Sequence, residues 1–392
     1  MEPNKVINGR VCIVVGTRPG IIKMSPLMRE CNRIGVPYFV IHTGQHYSPY
    51  MDRVFFQDLE LTKPKYSLEE TSQYISHGEK TAIMMMGIEK VLTKDRPNAV
   101  LVCGDANTNL AAALVARKLQ LIVGHVESGL RSNDWRMPEE HNRVIMDHIC
   151  ELLFAPTDVA AKNLRDDNVR GMVKVTGNTV VDAILQHNPI AEKKSKIMKE
   201  FSLQPKQFIL MTAHREENVD NERTLNDLIE SANAVSVSTE MDIIFPIHPR
   251  TRKRLAEFEL SEKLSKLSNV KVIDPVGYLD MLSLLKNCAL VMTDSGGLQE
   301  EACVLKVPCV TLRENTERPE TVKVGANKIA GTNLNNVVCA VSEMLQAIGI
   351  KQVQIKWPND IYVRGKKIAG ILIETQPLTG NALSVVAGVG LN

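Results

Sequence analysis

Short apolar runs recur along the chain and end in polar residues. In the first half they are VCIVV (11–15), YFVIH (38–42), AVLVC (99–103), LIVGHV (121–126) and LLFA (152–155). Helix-like stretches separate them, and the alternation predicts a parallel α/β layer. The rhythm restarts with FILMTA (208–213), DIIFPIH (242–248), VKVID (270–274), ALVMTD (289–294) and CVTLR (309–313). Between the halves, AEKKSKIMKEFSLQP (191–205) reads as a helix and connection near a domain boundary, its lysines forming a solvated face. The expected organisation is two doubly wound α/β domains, residues 1–185 and 186–346, followed by a segment of different character, 347–392. Tandem domains of this kind usually place their ligand in a cleft where the carboxyl ends of the strands face each other.

The 392 residues suffice for two or three domains with sizeable cores. A formal net charge of +2, with 23% charged and 44% hydrophobic residues, points away from a disordered chain or a basic nucleic-acid binder, so any anion site is local. Eight scattered cysteines, with Cys12, Cys103, Cys288 and Cys309 in or beside apolar runs and no CxxC pair, read as free thiols in a reducing compartment. The N-terminus MEPNKVINGR has no apolar core of a signal peptide, and no apolar run approaches 18 residues. The expectation is a soluble cytoplasmic protein with no membrane and no nucleic-acid partner.

The polar motifs sit at the strand ends. LVMTDSGGLQEEA (290–302) runs from a strand through Ser295, Gly296 and Gly297 into a helix carrying Glu300 and Glu301. Glycines admit a ligand close to the backbone, and the first N–H groups of a helix attract phosphate, while a carboxylate one turn further can accept from sugar hydroxyls. Two readings fit: a well-capped buried helix, or a site for a nucleotide. GTRPGIIK (16–23) puts Arg18 in a turn and Lys23 about one helical turn on, two cations suited to a diphosphate leaving group or to ordinary surface contacts. GDANT (104–108) and HVESGLRS (125–132) bring Asp105 and Glu127 to the same edge, and MPEEHNR (137–143) adds Glu139. Convergent carboxylates are what proton removal and return on opposite faces of a sugar carbon require, although single strand-end acids are usually caps. TAHREEN (212–218) offers His214 and Arg215, FPIHPRT (245–251) His248 and Arg250, and RENTERPE (313–320) Arg313, Glu317 and Arg318. No His, Cys or Asp cluster has zinc-like spacing, so no metal and no cofactor is expected.

GTRPGIIK, TGQH (43–46), HVESGLRS with MPEEHNR, VTGNTVVD (175–182), TAHREEN, DSGGLQEEA and RENTERPE stand in the order found in the non-hydrolysing UDP-N-acetylglucosamine 2-epimerases, which residues 10–345 resemble. The resemblance implies two Rossmann-like domains facing a cleft, the glycosyltransferase-B-like fold. It also implies interconversion of UDP-GlcNAc and UDP-ManNAc by elimination of UDP across C1–C2 and its re-addition. On the matching motifs, Asp105, Glu127 and Glu139 with His214 would be catalytic, and Arg18, Lys23, Arg215 and Arg318 would hold substrate. Ser295 and Gly296 would present N–H groups to the diphosphate, Gly297 would permit the approach and Glu301 would take the ribose. A homodimer is also implied. Gly20 stands where the family normally has Glu, and Ala106 where it usually has Thr or a similar polar residue.

Residues 347–392 resemble instead an internal piece of the biotin protein ligases, through KWPND, GKKIAGIL and GVGLN. In that family Lys356 would contact biotin or its adenylate, but the Gly/Arg-rich nucleotide loop is missing, so the segment reads as a non-catalytic fusion; the alternative is a divergent epimerase tail. Two rivals remain for the whole chain, a glycosyltransferase of the same fold and a non-enzymatic nucleotide-sugar-binding protein. The sugar is left between GlcNAc and a modified relative such as a uronic acid or dideoxy sugar.

Overall fold

The computed structural model describes residues 9–44, 55–68, 76–350, 353–356, 360–363, 366–377 and 383–391. Gln45 and His46 of the TGQH motif, and positions 357–359, 365 and 392 of the tail motifs, lie outside them. Two units divide the chain, Met1–Ile190 and Ala191–Asn392. The expected boundary after residue 185 falls inside the helix Thr179–Lys194, and the tail groups with the second unit.

The first unit is built on β1 (Val11–Val15), β2 (Tyr38–His42), β3 (Tyr66–Ser67), β4 (Ala99–Cys103), β5 (Ile122–Val126), β6 (Leu152–Ala155) and β7 (Met172–Val175). They form one sheet in the order β3-β2-β1-β4-β5-β6-β7, every pair parallel. Central β1 has Cys12, Ile13 and Val14 at zero exposure, because both faces of a parallel sheet are covered by its crossover helices. The same cause removes the in–out alternation from its sequence. Since all strands point one way, the residues that follow β1, β4 and β5, namely Gly16, Gly104 and Glu127, emerge on one edge. Gly16 is required there by space: a Cβ would stand 2.1 Å from Thr108 Oγ1 and 2.2 Å from Thr43 Oγ1, hydroxyls that are bonded to each other at 2.7 Å.

The second unit repeats the plan with β8 (Phe208–Thr212), β9 (Asp242–Pro246), β10 (Val270–Ile273), β11 (Leu290–Thr293), β12 (Cys309–Thr311) and β13 (Asn327–Ile329), in the parallel order β10-β9-β8-β11-β12-β13. Its two cores show the strand period directly. Ile209, Met211, Ile243, Phe245, Leu290 and Met292 enter one cluster, while Phe208, Leu210, Ile244 and Val291 enter the other. The apolar pattern does not announce β3, β7 and β13, and all three are outermost strands. An outer strand is short and part-exposed, so it needs no apolar run; Met172 of β7 is 69% exposed.

Beyond Ile350 the backbone forms an antiparallel sheet, β14 (Val353–Lys356), β15 (Asp360–Val363), β16 (Lys366–Pro377) and β17 (Leu383–Leu391), each strand paired with the next. Among the described residues no helix is long and apolar enough to cross a membrane.

The helix that follows Asp105 starts without a side-chain cap. Ala106 occupies the N-cap of Asn107–Lys118 with extended backbone and no side-chain cap bond. Ala106→Thr supplies the missing acceptor and should raise stability by about 1 kcal/mol, read as a higher urea midpoint with unchanged slope. An unchanged midpoint would mean that another group already satisfies the helix start.

Candidate active site

In the first unit, Thr17 caps the helix Arg18–Ile34, its hydroxyl accepting from Gly20 N at 3.3 Å, and Pro19 suits the first turn. Gly20 leaves that turn without an acid. One turn on, Lys23 reaches across to β5: its Nζ lies 2.5 Å from Glu127 Oε2, with side chains 17% and 5% exposed. The expected phosphate-binding cation is thus joined to an expected proton-transfer acid. Arg18 sits over the Phe55 ring, 5.8 Å from its centroid.

Glu127 is held in the left-handed region, φ 67°, which strains a residue with a side chain. A Cβ at Gly104 would lie 3.1 Å from Glu127 Oε2, so this carboxylate rests against the turn that delivers Asp105. Asp105 in turn pairs with the Arg143 guanidinium, and its carbonyl accepts from Asn142 Nδ2 at 2.8 Å. The two acids of MPEEHNR separate. Glu139 is exposed in the first turn of the helix Pro138–Ile149, one turn before Arg143. Glu140 is 2% exposed and accepts from Ser132 N, Asn133 N and Arg143 at 3.0, 3.1 and 2.8 Å. Burial would raise the Glu140 pKa, but these donors hold it below the usual carboxylate value.

The second unit builds its edge around Asp294, which is fully buried at the end of β11. Its Oδ2 accepts from His214 N at 2.8 Å, Arg215 N at 2.9 Å and Asn218 Nδ2 at 3.1 Å, and Oδ1 faces His214 Nδ1 at 3.1 Å. His214 is also 5.2 Å, ring to ring, from His248. Ser295 caps the helix Gly296–Val304. At Gly297 a Cβ would meet nothing nearer than Ser295 Oγ at 3.9 Å, so the folded chain does not itself require glycine there. Gly296 is buried against the Glu317 carboxylate. The two acids of this helix diverge: Glu300 lies 3.3 Å from Arg318 Nε, whereas Glu301 lies by Tyr278, whose hydroxyl pKa is raised by burial and then by that charge. Arg215 is 3.8 Å from Glu317, which accepts from Arg313 at 2.9 Å.

Asp105, Glu127, His214, Arg215, Ser295, Gly296 and Gly297 thus follow strand ends of their own units, Lys23 and Glu301 lie within the helices that begin there, and Glu139 stands apart in the first turn of Pro138–Ile149. Sequence reasoning missed the groups that hold them: Arg143, Asn142 and Glu140, the buried pair of His125 in β5 with Asp147, and the anchoring role of Asp294. Their partners lie 76 to 80 residues away for Asp294 and 37 and 38 for Asp105, beyond any local pattern. Among the described residues no group of three or more His, Cys, Asp or Glu is placed to hold a metal ion.

Comparison with known proteins gives a consistent picture. Residues 29–372 match the model of the UDP-N-acetylglucosamine 2-epimerase family. The chain is 52% identical over 341 residues to the UDP-N-acetylglucosamine 2-epimerase of Methanococcus maripaludis, covering 86% of this chain and 92% of that protein. It superposes with a TM-score of 0.78 on the crystal structure of Methanocaldococcus jannaschii UDP-GlcNAc 2-epimerase in complex with UDP-GlcNAc and UDP, at 50% identity, covering 86% of this chain and 92% of that one. It is also 38% identical to the UDP-2,3-diacetamido-2,3-dideoxy-D-glucuronate 2-epimerase of Pseudomonas aeruginosa, over 84% of this chain and 90% of that one.

The Glu317 contacts carry a pH signature. Burial raises its pKa, but Arg313, by hydrogen bond and charge, and Arg215 outweigh this and bring it to about 2. A depressed folded value means that the stabilisation is complete above the ordinary value of 4.5 and is lost as pH falls toward 2. Wild type should therefore exceed Glu317→Gln by an amount on the order of a few kcal/mol at neutral pH, with the gap closing between those values. Denaturation at a series of pH values measures it; a gap constant with pH would discount the pair.

Proposed function

The chain belongs to the UDP-N-acetylglucosamine 2-epimerase family, and on that premise we propose that it interconverts UDP-GlcNAc and UDP-ManNAc by eliminating UDP and adding it back through 2-acetamidoglucal. The observation that carries the mechanism is the meeting of Lys23 with Glu127, beside the turn that bears Asp105. The C2 hydrogen is weakly acidic, since its carbon bears a nitrogen and no carbonyl. Direct deprotonation would leave an unstabilised carbanion. Elimination avoids this, because the C1–O bond breaks while the C2 proton leaves and the negative charge passes to the diphosphate. Arg18, Lys23 and Arg318 neutralise that charge. One of Asp105, Glu127 and Glu139 exchanges the proton on one face of the glycal, and another serves the opposite face, with His214 assisting. Ser295 and Gly296 N–H groups hold the diphosphate, with Arg215 close by, and Glu301 takes the ribose hydroxyls.

The relative from Pseudomonas aeruginosa favours a second substrate reading, a diacetamido uronic acid derivative of UDP, on the same chemistry. Turnover of each sugar nucleotide alone, with no acceptor, decides between them and separates both from a glycosyltransferase. In D₂O the product should carry deuterium at C2, and Asp105→Asn or Glu139→Gln should lower kcat far more than UDP affinity. Product without solvent deuterium, or full activity in both variants, would remove the assignment.

The nucleotide half has its own test. Gly297→Ala adds a methyl group that the protein accommodates, at a helix position where Ala is favoured over Gly by about 1 kcal/mol. Stability should hold or rise, while UDP affinity falls at least 10-fold by calorimetry; unchanged affinity would take Gly297 out of the approach path.

The tail sheet is non-catalytic in this reading, a biotin-ligase-like fusion. Ile350 packs against the core of the second unit, so a chain ending there keeps every described residue of that core and should bind UDP as the full chain does. Adenylation of biotin by the full chain would contradict the proposal. The free, mostly buried cysteines support a cytoplasmic setting, and the family resemblance supports a homodimer, which sedimentation would test.

A further inference from the structure

Beneath the turns that carry Asp105 and Glu127 lies a charge cluster with no part in the roles above. His125 and Asp147 have side chains at zero exposure. His125 Nδ1 is 2.7 Å from Asp147 Oδ1, and Nε2 is 3.2 Å from the Gly104 carbonyl. A carbonyl only accepts. Asp147 also accepts at Oδ2 from Gly129 N at 3.1 Å and pairs there with Arg131 at 2.7 Å, so it too acts as an acceptor. The partners therefore assign hydrogen to both ring nitrogens. Arg131 continues to Asp167 at 2.7 Å, which extends the network to the helix Asp158–Asp166 and its end.

The cluster grips both acid-bearing turns. The Gly104 carbonyl belongs to the peptide bond that leads into Asp105, and Gly104 N donates to Val126 O at 3.1 Å, immediately before Glu127. On the other side of Glu127, Gly129 is fixed by Asp147. Gly104, Glu127 and Gly129 all have left-handed backbone, φ 74°, 67° and 80°. At Gly129 a Cβ would stand 2.3 Å from the Ala160 carbonyl oxygen, so the turn cannot relax by substitution. A strained conformation such as that of Glu127 persists only where its surroundings over-determine it.

We propose that His125 is a positioning residue for proton transfer: through the Gly104 carbonyl on one side and Asp147 on the other, it fixes the separation of the Asp105 and Glu127 carboxylates. This rests on the reading of those two acids as the proton-transfer groups. Displacements of about 1 Å in such groups cost on the order of 100-fold in rate.

Two substitutions divide the two contacts. The amide of His125→Asn can replace the Nδ1 bond to Asp147 but not the reach to Gly104, and that of His125→Gln can replace the Nε2 bond. With UDP-GlcNAc as substrate, His125→Asn should lower kcat by about 10- to 100-fold, leave KM and UDP affinity within about threefold, and release more UDP and 2-acetamidoglucal per turnover. His125→Gln should recover part of the lost kcat. If wild type forms no UDP-ManNAc, the functional reading fails. If wild type turns over and both variants match it, or if kcat and UDP affinity fall together, the positioning role is overturned. Nitrogen-15 histidine spectra of the wild-type protein supply a test that needs no variant: both His125 nitrogens should carry hydrogen, and a bare Nε2 would overturn the proposal.

Discussion

A carboxylate removed from water must be met by donors, and in this protein the donors are the backbone N–H groups of the turns that follow parallel strands. Asp147 takes Gly129 N together with His125 and Arg131, Glu140 takes Ser132 N and Asn133 N, and Asp294 takes His214 N, Arg215 N and the Asn218 amide. Each acid is buried, so removing one of its partners would leave an uncompensated charge at a cost of roughly 3–5 kcal/mol. That penalty turns segments that would otherwise be free loops into fixed ones. Because every strand of the two larger sheets points the same way, the turns after the central strands fall on one edge of each unit, with Asp105 and Glu127 on one and His214 and Ser295 on the other.

The legible and illegible parts of this structure divide along the range of the interactions that create them. The inner strands could be read from VCIVV, FILMT and their counterparts, because burial on both faces leaves an unbroken apolar run as its trace. Met172–Val175 left no such trace, being an outer strand with one side in solvent. The strand ends, and so the positions of Asp105, Glu127, His214 and Ser295, followed from the runs. What these residues touch did not. Glu139 and Glu140 are neighbours with the same chemistry, and only the packing of the Pro138–Ile149 helix decides that Glu140 is buried under the 132–133 loop while Glu139 stays exposed. Lys23 and Glu127 lie 104 positions apart, and no periodicity joins them. Family resemblance supplied roles for both residues but not the bond between them.

The departures from the family pattern also become physical. Gly20 costs the first helix an acid in its opening turn and the acceptor that would complete a capping box with Thr17. Ala106 leaves the helix after Asp105 without a side-chain cap. Both changes act on the stability of the helix starts, and neither is one of the residues proposed for proton transfer. Their effect falls on the rigidity of the frame around the two turns.

The bond between Lys23 and Glu127 gives the proposed elimination a means of timing. An ammonium group carries three hydrogens, so Lys23 can hold Glu127 and a diphosphate oxygen together, which a group with a single donor could not. Before C1–O cleavage the diphosphate shares its charge with the sugar bond, and Lys23 favours the carboxylate. As the bond breaks, negative charge grows on the departing oxygen. Opposite charges a few ångströms apart attract by about 4 kcal/mol in a partly buried setting, so under the proposed mechanism the leaving group would compete with Glu127 for the ammonium on equal terms. Where Glu127 is the group that exchanges the C2 proton, a shift of Lys23 toward the leaving group would loosen its hold on that carboxylate as the proton moves. In the proposed mechanism one residue would then serve both the departing UDP and the acid beside it, and re-addition would reverse the order.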